Sequence, residues 1–166
     1  MTQLGNIVYV VCAKSCTIKM YTADTLNPLG DGIHVEGMKD PGDIVACRRG
    51  RHLYVADWGG DCIWRVSVDD RSCAKWLTME STMESTMDIF HPETLSLTSG
   101  RLLVTSCPSS LRQYNAANRQ ELRVVPLPWY AHHAVETTRG TFVVCHATSQ
   151  KDAVSEMFAV CLRRCG

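Results

Sequence analysis

Glycines that recur at a near-constant spacing set the period of this chain: Gly5, Gly50, Gly100 and Gly140. The intervals between them are 45, 50 and 40 residues. Each glycine precedes a short apolar run, at residues 7–11, 53–56, 102–104 and 142–144. A period of roughly 40 to 50 residues with three or four short strands per repeat indicates propeller blades, because one four-stranded sheet needs neighbours to cover its faces. We therefore predict an all-β, β-propeller-like fold.

The repeats define about four partial four-stranded blades in one segment that spans residues 1–166. Their predicted bounds are about 2–38, 41–78, 91–126 and 131–162. Residues 79–90, which contain the tandem tetrapeptide MESTMEST, are predicted to be an insertion between blades. Too few residues precede Gly5 for the inner strand that the pattern requires, and the last repeat stops before its outer strand. These features predict an incomplete array whose unpaired blade edges favour self-association.

The second repeat has the clearest hairpin, at residues 50–68. Its first strand ends at Asp57, and the second begins near Ile63. Between them, Gly59-Gly60-Asp61 consists of residues that tolerate positive φ, as tight hairpin turns require. The sequence therefore predicts two adjacent strands joined by a short turn.

Val55-Ala56-Asp57, followed by Ile63 and Val66, resembles the NHL repeat, whose pattern is roughly V-A-D-x-x-N-x-R-I-x-x-F. Gly60 stands where this pattern has Asn, and Cys62 where it has Arg. The resemblance implies an incomplete arc of a six-bladed NHL-type propeller. It also implies a non-catalytic protein-binding scaffold in the cytoplasm. In tripartite-motif-like proteins such a module is the substrate-recognition part of a ubiquitin ligase, with the ligase activity in another domain.

The candidate binding site is the basic cluster around the glycine of the second repeat: Arg48, Arg49, Arg51 and His52. We expect Asp57, Trp58 and Asp61 to form a neighbouring rim. Such a cluster suits an acidic peptide or a phosphate, although charge runs are more often solvated turns. RNA is a weaker alternative, because the formal net charge of zero argues against a strongly electrostatic partner.

A gluconolactonase-like, metal-dependent hydrolase is the enzymatic alternative, because this architecture is shared by enzymes that hold a divalent metal with Glu, Asn and Asp. The chain offers Glu93, Glu136 and Asp43 near its inner strands. A second pattern places Asp57, Ser106 and His146 at equivalent strand ends. They belong to different repeats, whereas a catalytic triad needs side chains in hydrogen-bond contact. We therefore predict no catalytic residue, no metal and no cofactor.

Nine cysteines are an odd and high number. Without a secretory signal, they are expected to be buried thiols rather than a disulfide framework. Two pairs have loosely zinc-like spacing, Cys12-x3-Cys16 and Cys161-x3-Cys165, but structural zinc sites more often use x2 pairs. The histidines His91, His132 and His133 are predicted to lie in loops near inner strands. No apolar run is long enough to cross a membrane.

Overall fold

The computed structural model describes residues 1–78, 91–107, 110–128, 130–146 and 158–162, with the backbone alone for residues 146 and 158–162. The predicted insertion at residues 79–90 lies outside the described residues. The chain divides into two compact units, Met1–Pro92 and Glu93–Gly166. Within the described ranges, no helix is long and apolar enough to cross a membrane.

The first unit contains two four-stranded antiparallel sheets in which neighbours in sequence are neighbours in the sheet. The first sheet consists of β1 (Thr2–Leu4), β2 (Ile7–Val10), β3 (Thr17–Thr22) and β4 (Ile33–His34). The second consists of β5 (Pro41–Cys47), β6 (His52–Asp57), β7 (Cys62–Ser67) and β8 (Cys73–Thr78). A single 3-10 turn, Trp58–Gly60, connects β6 to β7.

The second unit holds two further antiparallel sheets with the same order of strands. Its four-stranded sheet consists of β9 (His91–Thr98), β10 (Arg101–Cys107), β11 (Ser110–Asn115) and β12 (Glu121–Pro126). Strand β9 begins at His91, the last residue but one of the first unit. The described part of the last sheet has three strands, β13 (Ala131–Glu136), β14 (Phe142–His146) and β15 (Phe158–Leu162).

The predicted absence of an inner strand in the first repeat is wrong. Residues Thr2–Leu4 form that strand, and Gln3 lies opposite Val8 in the antiparallel register. The connecting loop contains only Gly5 and Asn6, so three residues before the glycine are enough to pair with β2. The side chain of Thr2 also links the two sheets of the first unit, because its hydroxyl accepts a hydrogen bond from the backbone N–H of Ala46 (3.2 Å).

Each unit has its own hydrophobic core. In the first unit, apolar side chains of both sheets pack together, among them Ile18, Leu53, Val55 and Trp64. Strand β6 is buried along nearly its whole length, so its side chains on both faces of the sheet are shielded from solvent. Burying each such side chain contributes roughly 1.5–3 kcal/mol. The core of the second unit is formed by Leu103, Leu111, Leu127, Ala131, Ala134, Phe142 and Val144.

Candidate functional site

Asp57 is fully buried at the end of β6 and is saturated with hydrogen bonds. Its Oδ1 accepts from the backbone N–H groups of Asp40 (2.8 Å) and Gly60 (3.2 Å). Its Oδ2 accepts from the backbone N–H of Lys39 (3.1 Å) and from the indole N–H of Trp64 (3.0 Å). A buried carboxylate is stable only with such partners. Asp57 therefore joins three chain segments and is not accessible to a binding partner, which removes it from the predicted binding rim.

The turn after Asp57 is built differently from the prediction. Asp61 has the expected left-handed conformation (φ 50°), but Gly59 and Gly60 do not have positive φ. They are needed for close approach instead. A Cβ at Gly60 would lie 2.4 Å from Oδ2 of Asp57, and one at Gly59 would lie 2.8 Å from Cβ of Asp40. The glycines thus allow the turn to close onto the buried carboxylate.

This turn presents an exposed aromatic residue. Trp58 is 49% exposed, and its ring lies against the imidazole of His91, with 5.6 Å between the ring centroids. The side chains of Asp61 and His91 hydrogen-bond to each other through Oδ1 and Nδ1. The backbone N–H of Trp58 donates to the carbonyl of Asp40 (3.0 Å), which fixes the backbone beneath the ring. We call Trp58, Asp61 and His91 the turn patch.

The predicted basic cluster lies on the loop between β5 and β6. Arg48 and Arg49 are exposed there and form no ion pair with any described residue. Arg51 has positive φ (48°), and its Nε donates to Oδ1 of Asp69 at 2.6 Å. The side chains of Arg51 and Asp69 are 60% and 59% exposed, so this ion pair contributes little to stability. The free positive charge of this loop therefore comes from Arg48 and Arg49.

His52 begins β6 and contacts the guanidinium of Arg65. Burial lowers the pKa of His52 below its usual value, and the positive charge of Arg65 lowers it further. A neutral imidazole is therefore favoured beside the arginine. His52 is part of a packed contact rather than a free binding group.

The seven predicted site residues do not form one surface. His52 and Asp57 are the two ends of β6 and are separated by five residue steps. At roughly 3.3 Å per step, their Cα atoms lie about 17 Å apart. The prediction of a basic cluster with Asp57–Asp61 as its neighbouring rim is therefore corrected. The basic loop and the turn patch occupy opposite ends of the hairpin.

The second unit has a cleft of about 230 Å³ that the sequence did not predict. Its lining includes Arg101, Arg123, Glu136 and Phe142. Glu136, proposed from sequence as a metal ligand, accepts from Nη1 of Arg101 (3.0 Å) and from the side-chain amide of Gln113 (2.8 Å). Both oxygens of its carboxylate therefore already accept hydrogen bonds within this cleft.

The other candidate metal ligands are also engaged. Glu93 accepts from the hydroxyl of Tyr130, and burial together with this hydrogen bond raises the pKa of that tyrosine. Oδ1 of Asp43 accepts from the backbone N–H of Ile44 (2.8 Å). Within the described ranges, no group of three or more His, Cys, Asp or Glu side chains is placed to hold a metal.

The Asp57, Ser106 and His146 pattern has no support from hydrogen bonding. Asp57 is saturated within its own unit. The Ser106 hydroxyl hydrogen-bonds to that of Ser110 at 2.7 Å. The side chain of His146 lies outside the described residues. Asp57 and Ser106 therefore each hydrogen-bond to other groups of their own unit.

The seven cysteines with described side chains are free thiols, and Cys62 is the buried one among them. Burial raises the pKa of Cys62 to about 12, with a further contribution from Asp57. The other six are partly buried, so the prediction of buried thiols holds fully for Cys62 alone. Sγ of Cys16 lies 3.4 Å from Nδ1 of His34, and the side chains of Cys161 and Cys165 lie outside the described residues. His132 and His133 are exposed on β13 rather than in a loop.

Comparisons with known proteins show the fold and no family. No protein-family description matches the sequence, and no curated protein matches it. The fold is similar to that of Kuenenia stuttgartiensis hydrazine synthase, with a TM-score of 0.72 and 14% identity. That match covers 90% of this chain and 42% of the other. A second match, to a structure of a nidogen/laminin complex, has a TM-score of 0.65 and 12% identity and covers 86% of this chain and 53% of the other.

The chain thus spans about half of the length of these two solved structures. Both of these proteins contain β-propellers. Together with four antiparallel meanders in the described residues, the likeness establishes the predicted fold class. The fold is all-β and β-propeller-like, with about four blades.

Proposed function

We propose that this chain is a non-catalytic, NHL-type binding module that recognises a protein through the turn patch. The observation that carries the proposal is the exposure of Trp58 on a turn that the buried Asp57 holds in place. Tryptophan is among the residues most enriched at the energetic centres of protein interfaces. A side chain on a pre-ordered backbone also loses less entropy when it binds.

The surroundings of Trp58 support a protein partner. Asp61 and His91 give the patch a polar, hydrogen-bonding border next to its aromatic surface. Interfaces commonly combine an aromatic centre with a polar, hydrogen-bonding rim. One of the structures with a similar fold is a complex of nidogen with laminin, which is consistent with protein binding by folds of this kind.

The proposal extends to the biological setting that the NHL resemblance implies. The module acts in the cytoplasm as the substrate-recognition part of a ubiquitin-ligase-type protein, and catalysis resides in a different domain. The hydrolase and RNA alternatives have less support. Glu93, Glu136 and Asp43 are engaged in hydrogen bonds, and Arg51 is paired with Asp69.

Site-specific photocrosslinking in cells tests the proposal. A benzoylphenylalanine is introduced at position 58, and in separate chains at Arg48 and at Leu26, an apolar residue that is 63% exposed away from the patch. We expect a discrete protein adduct from position 58 that is absent from position 26. Equal adducts from both positions would show unspecific contact and contradict the proposal. A nucleic-acid adduct from position 48 would favour the RNA alternative.

A further inference from the structure

The cleft of the second unit contains three charged groups and two apolar walls. Arg101 and Glu136 form an ion pair in which the arginine side chain is 44% exposed and the glutamate side chain only 7% exposed. Arg123 lies over the ring of Phe142, 5.3 Å from its centroid. Leu122 and Phe142 provide the apolar walls.

The strand register explains why these groups meet. Gln113 lies opposite Leu103 on β10 and opposite Arg123 on β12, so these three residues share one face of the sheet. Arg101 is two residues before Leu103 and therefore belongs to the same face. On β13 and β14, Glu136 lies opposite Phe142. The two sheets of this unit thus bring one acidic and two basic side chains to one cleft.

The charges in this cleft do not balance. Glu136 neutralises one arginine, and among the described residues Arg123 takes part in no ion pair. The three groups therefore carry one excess positive charge. Glu136 is nearly buried, and its carboxylate is held by both Arg101 and Gln113. It therefore does not also neutralise Arg123. A guanidinium above an aromatic ring is attracted by the face of the ring and still has its N–H groups to donate to a ligand.

We infer that this cleft binds the carboxylate of an acidic side chain from the partner protein. A monoanionic carboxylate matches the single excess charge, and its planar oxygens match the forked N–H groups of arginine. The apolar walls suit the methylene stem of such a side chain. The cleft, at about 230 Å³, is smaller than the ~300–1,000 Å³ of typical small-molecule pockets, which suits one side chain.

This inference rests on the proposed function only for the source of the carboxylate. It is tested with a pair of small probes on the full chain: N-acetyl-glutamate methylamide, which carries one side-chain carboxylate, and N-acetyl-glutamine methylamide, its neutral isostere. Binding is followed by nuclear magnetic resonance shifts of the Arg123 Nε–H and of the Phe142 ring. We expect saturable shifts with the acidic probe, at a roughly millimolar Kd, and none with the neutral probe.

Variants sharpen the test. Arg123→Ala should weaken binding of the acidic probe roughly tenfold, because it removes the guanidinium whose N–H groups would bind the carboxylate. Arg119→Ala, which removes an exposed charge from the loop after β11, is the matched control and should leave the affinity unchanged. Glu136→Gln should instead tighten binding roughly threefold, because it removes the resident negative charge. A variant that merely unfolds cannot produce this gain.

Three results would overturn the inference. Equal shifts from both probes would show that charge is not recognised. Equal weakening by Arg123→Ala and Arg119→Ala would show that only the overall charge matters. Tighter binding of inorganic phosphate to the same resonances would assign the cleft to phosphate. The probes bind to the cleft without any partner protein. These outcomes therefore do not depend on whether Trp58 contacts a protein partner.

Discussion

At the scale of single residues, Asp57 connects the local fold to the proposed site. Its carboxylate accepts four hydrogen bonds, from residues 39, 40, 60 and 64. The donors at Lys39 and Asp40 are 18 and 17 residues away in sequence, so they organise a turn that local propensity alone does not specify. The position of Trp58 therefore depends on a residue that is itself fully buried.

Replacing Asp57 should be strongly destabilising. Asp57→Ala leaves several buried donors without acceptors, and we expect the free energy of unfolding to fall by at least about 3 kcal/mol. Asp57→Asn retains one acceptor oxygen and should cost less. Urea denaturation measures both. Asp31→Ala, at an exposed position, should change the unfolding free energy by less than about 0.5 kcal/mol. A loss for Asp57→Ala as small as that of the control would refute the structural role.

His52 should make stability depend on pH. Its pKa is lowered in the folded chain, first by burial and then by Arg65. The unfolded chain therefore binds a proton more readily, so this contribution is complete above the unfolded pKa of about 6.5. It is lost as the pH falls from there through the folded pKa.

We expect His52→Gln to flatten the decline of unfolding free energy between pH 7 and pH 5, as measured by urea titration at a series of pH values. His34→Gln provides the comparison for removing a histidine from the same unit. If wild type and His52→Gln have the same slope, the partly buried contact with Arg65 does not affect the proton equilibrium.

At the scale of elements, the hairpin of β6 and β7 shows what close packing adds to a sequence pattern. Gly60 does not have positive φ, yet a Cβ there would come within 2.4 Å of Oδ2 of Asp57. That oxygen is held by hydrogen bonds and cannot move aside cheaply. The glycine and the aspartate therefore act as a pair.

Gly60→Ala should destabilise the fold by roughly 1–3 kcal/mol through this overlap. The cost should shrink when Asp57 is already alanine, because the obstructing oxygen is then absent. A double-mutant cycle of unfolding free energies measures this coupling. Additive effects of the two substitutions would mean that the close approach is not what selects glycine here.

The same hairpin shows how far sequence reasoning extends. Apolar runs placed β2, β6, β10 and β14 correctly, because short strands leave a direct composition signal. The inner strand Thr2–Leu4 was missed because three residues are too few to show a pattern. The residues from Arg48 to Asp61 are close in sequence, but strand β6 runs between them and places them at opposite ends of the hairpin. The sequence alone does not show this separation.

The cleft of the second unit could not be predicted for a related reason. Arg101 and Glu136 are 35 residues apart, and their pairing depends on how β10 and β13 pack. No local pattern records that contact. His91 was noted only as a loop residue, because its partners Trp58 and Asp61 lie 30 or more residues earlier.

At the scale of the whole molecule, the chain consists of two compact units and has a formal net charge of zero. Strand β12 pairs with β11 alone among the described strands, and it exposes Leu122 (43%) and Val124 (42%). An edge strand with apolar side chains tends to associate. A near-zero net charge offers little repulsion against this.

We therefore expect the mass in solution, measured by light scattering during gel filtration, to rise with protein concentration. Val124→Lys should reduce that rise by placing a charge on the edge. Leu26→Lys, at an exposed position outside β12, is the matched control and should not. A constant monomer mass across the concentration range would argue against self-association through this strand.

The central claim is that the turn patch, at one end of the β6–β7 hairpin, recognises a protein. The most direct measurement is the Kd of the photocrosslinked partner for the intact chain, by calorimetry, with Trp58→Ala compared with the double substitution Arg48→Ala and Arg49→Ala. We predict that Trp58→Ala weakens binding by roughly 30-fold, about 2 kcal/mol. The arginine substitutions should change the Kd by less than about threefold, as expected of exposed charges outside an interface. Full affinity for Trp58→Ala, with loss of binding in the arginine variant, would contradict the account and assign recognition to the basic loop.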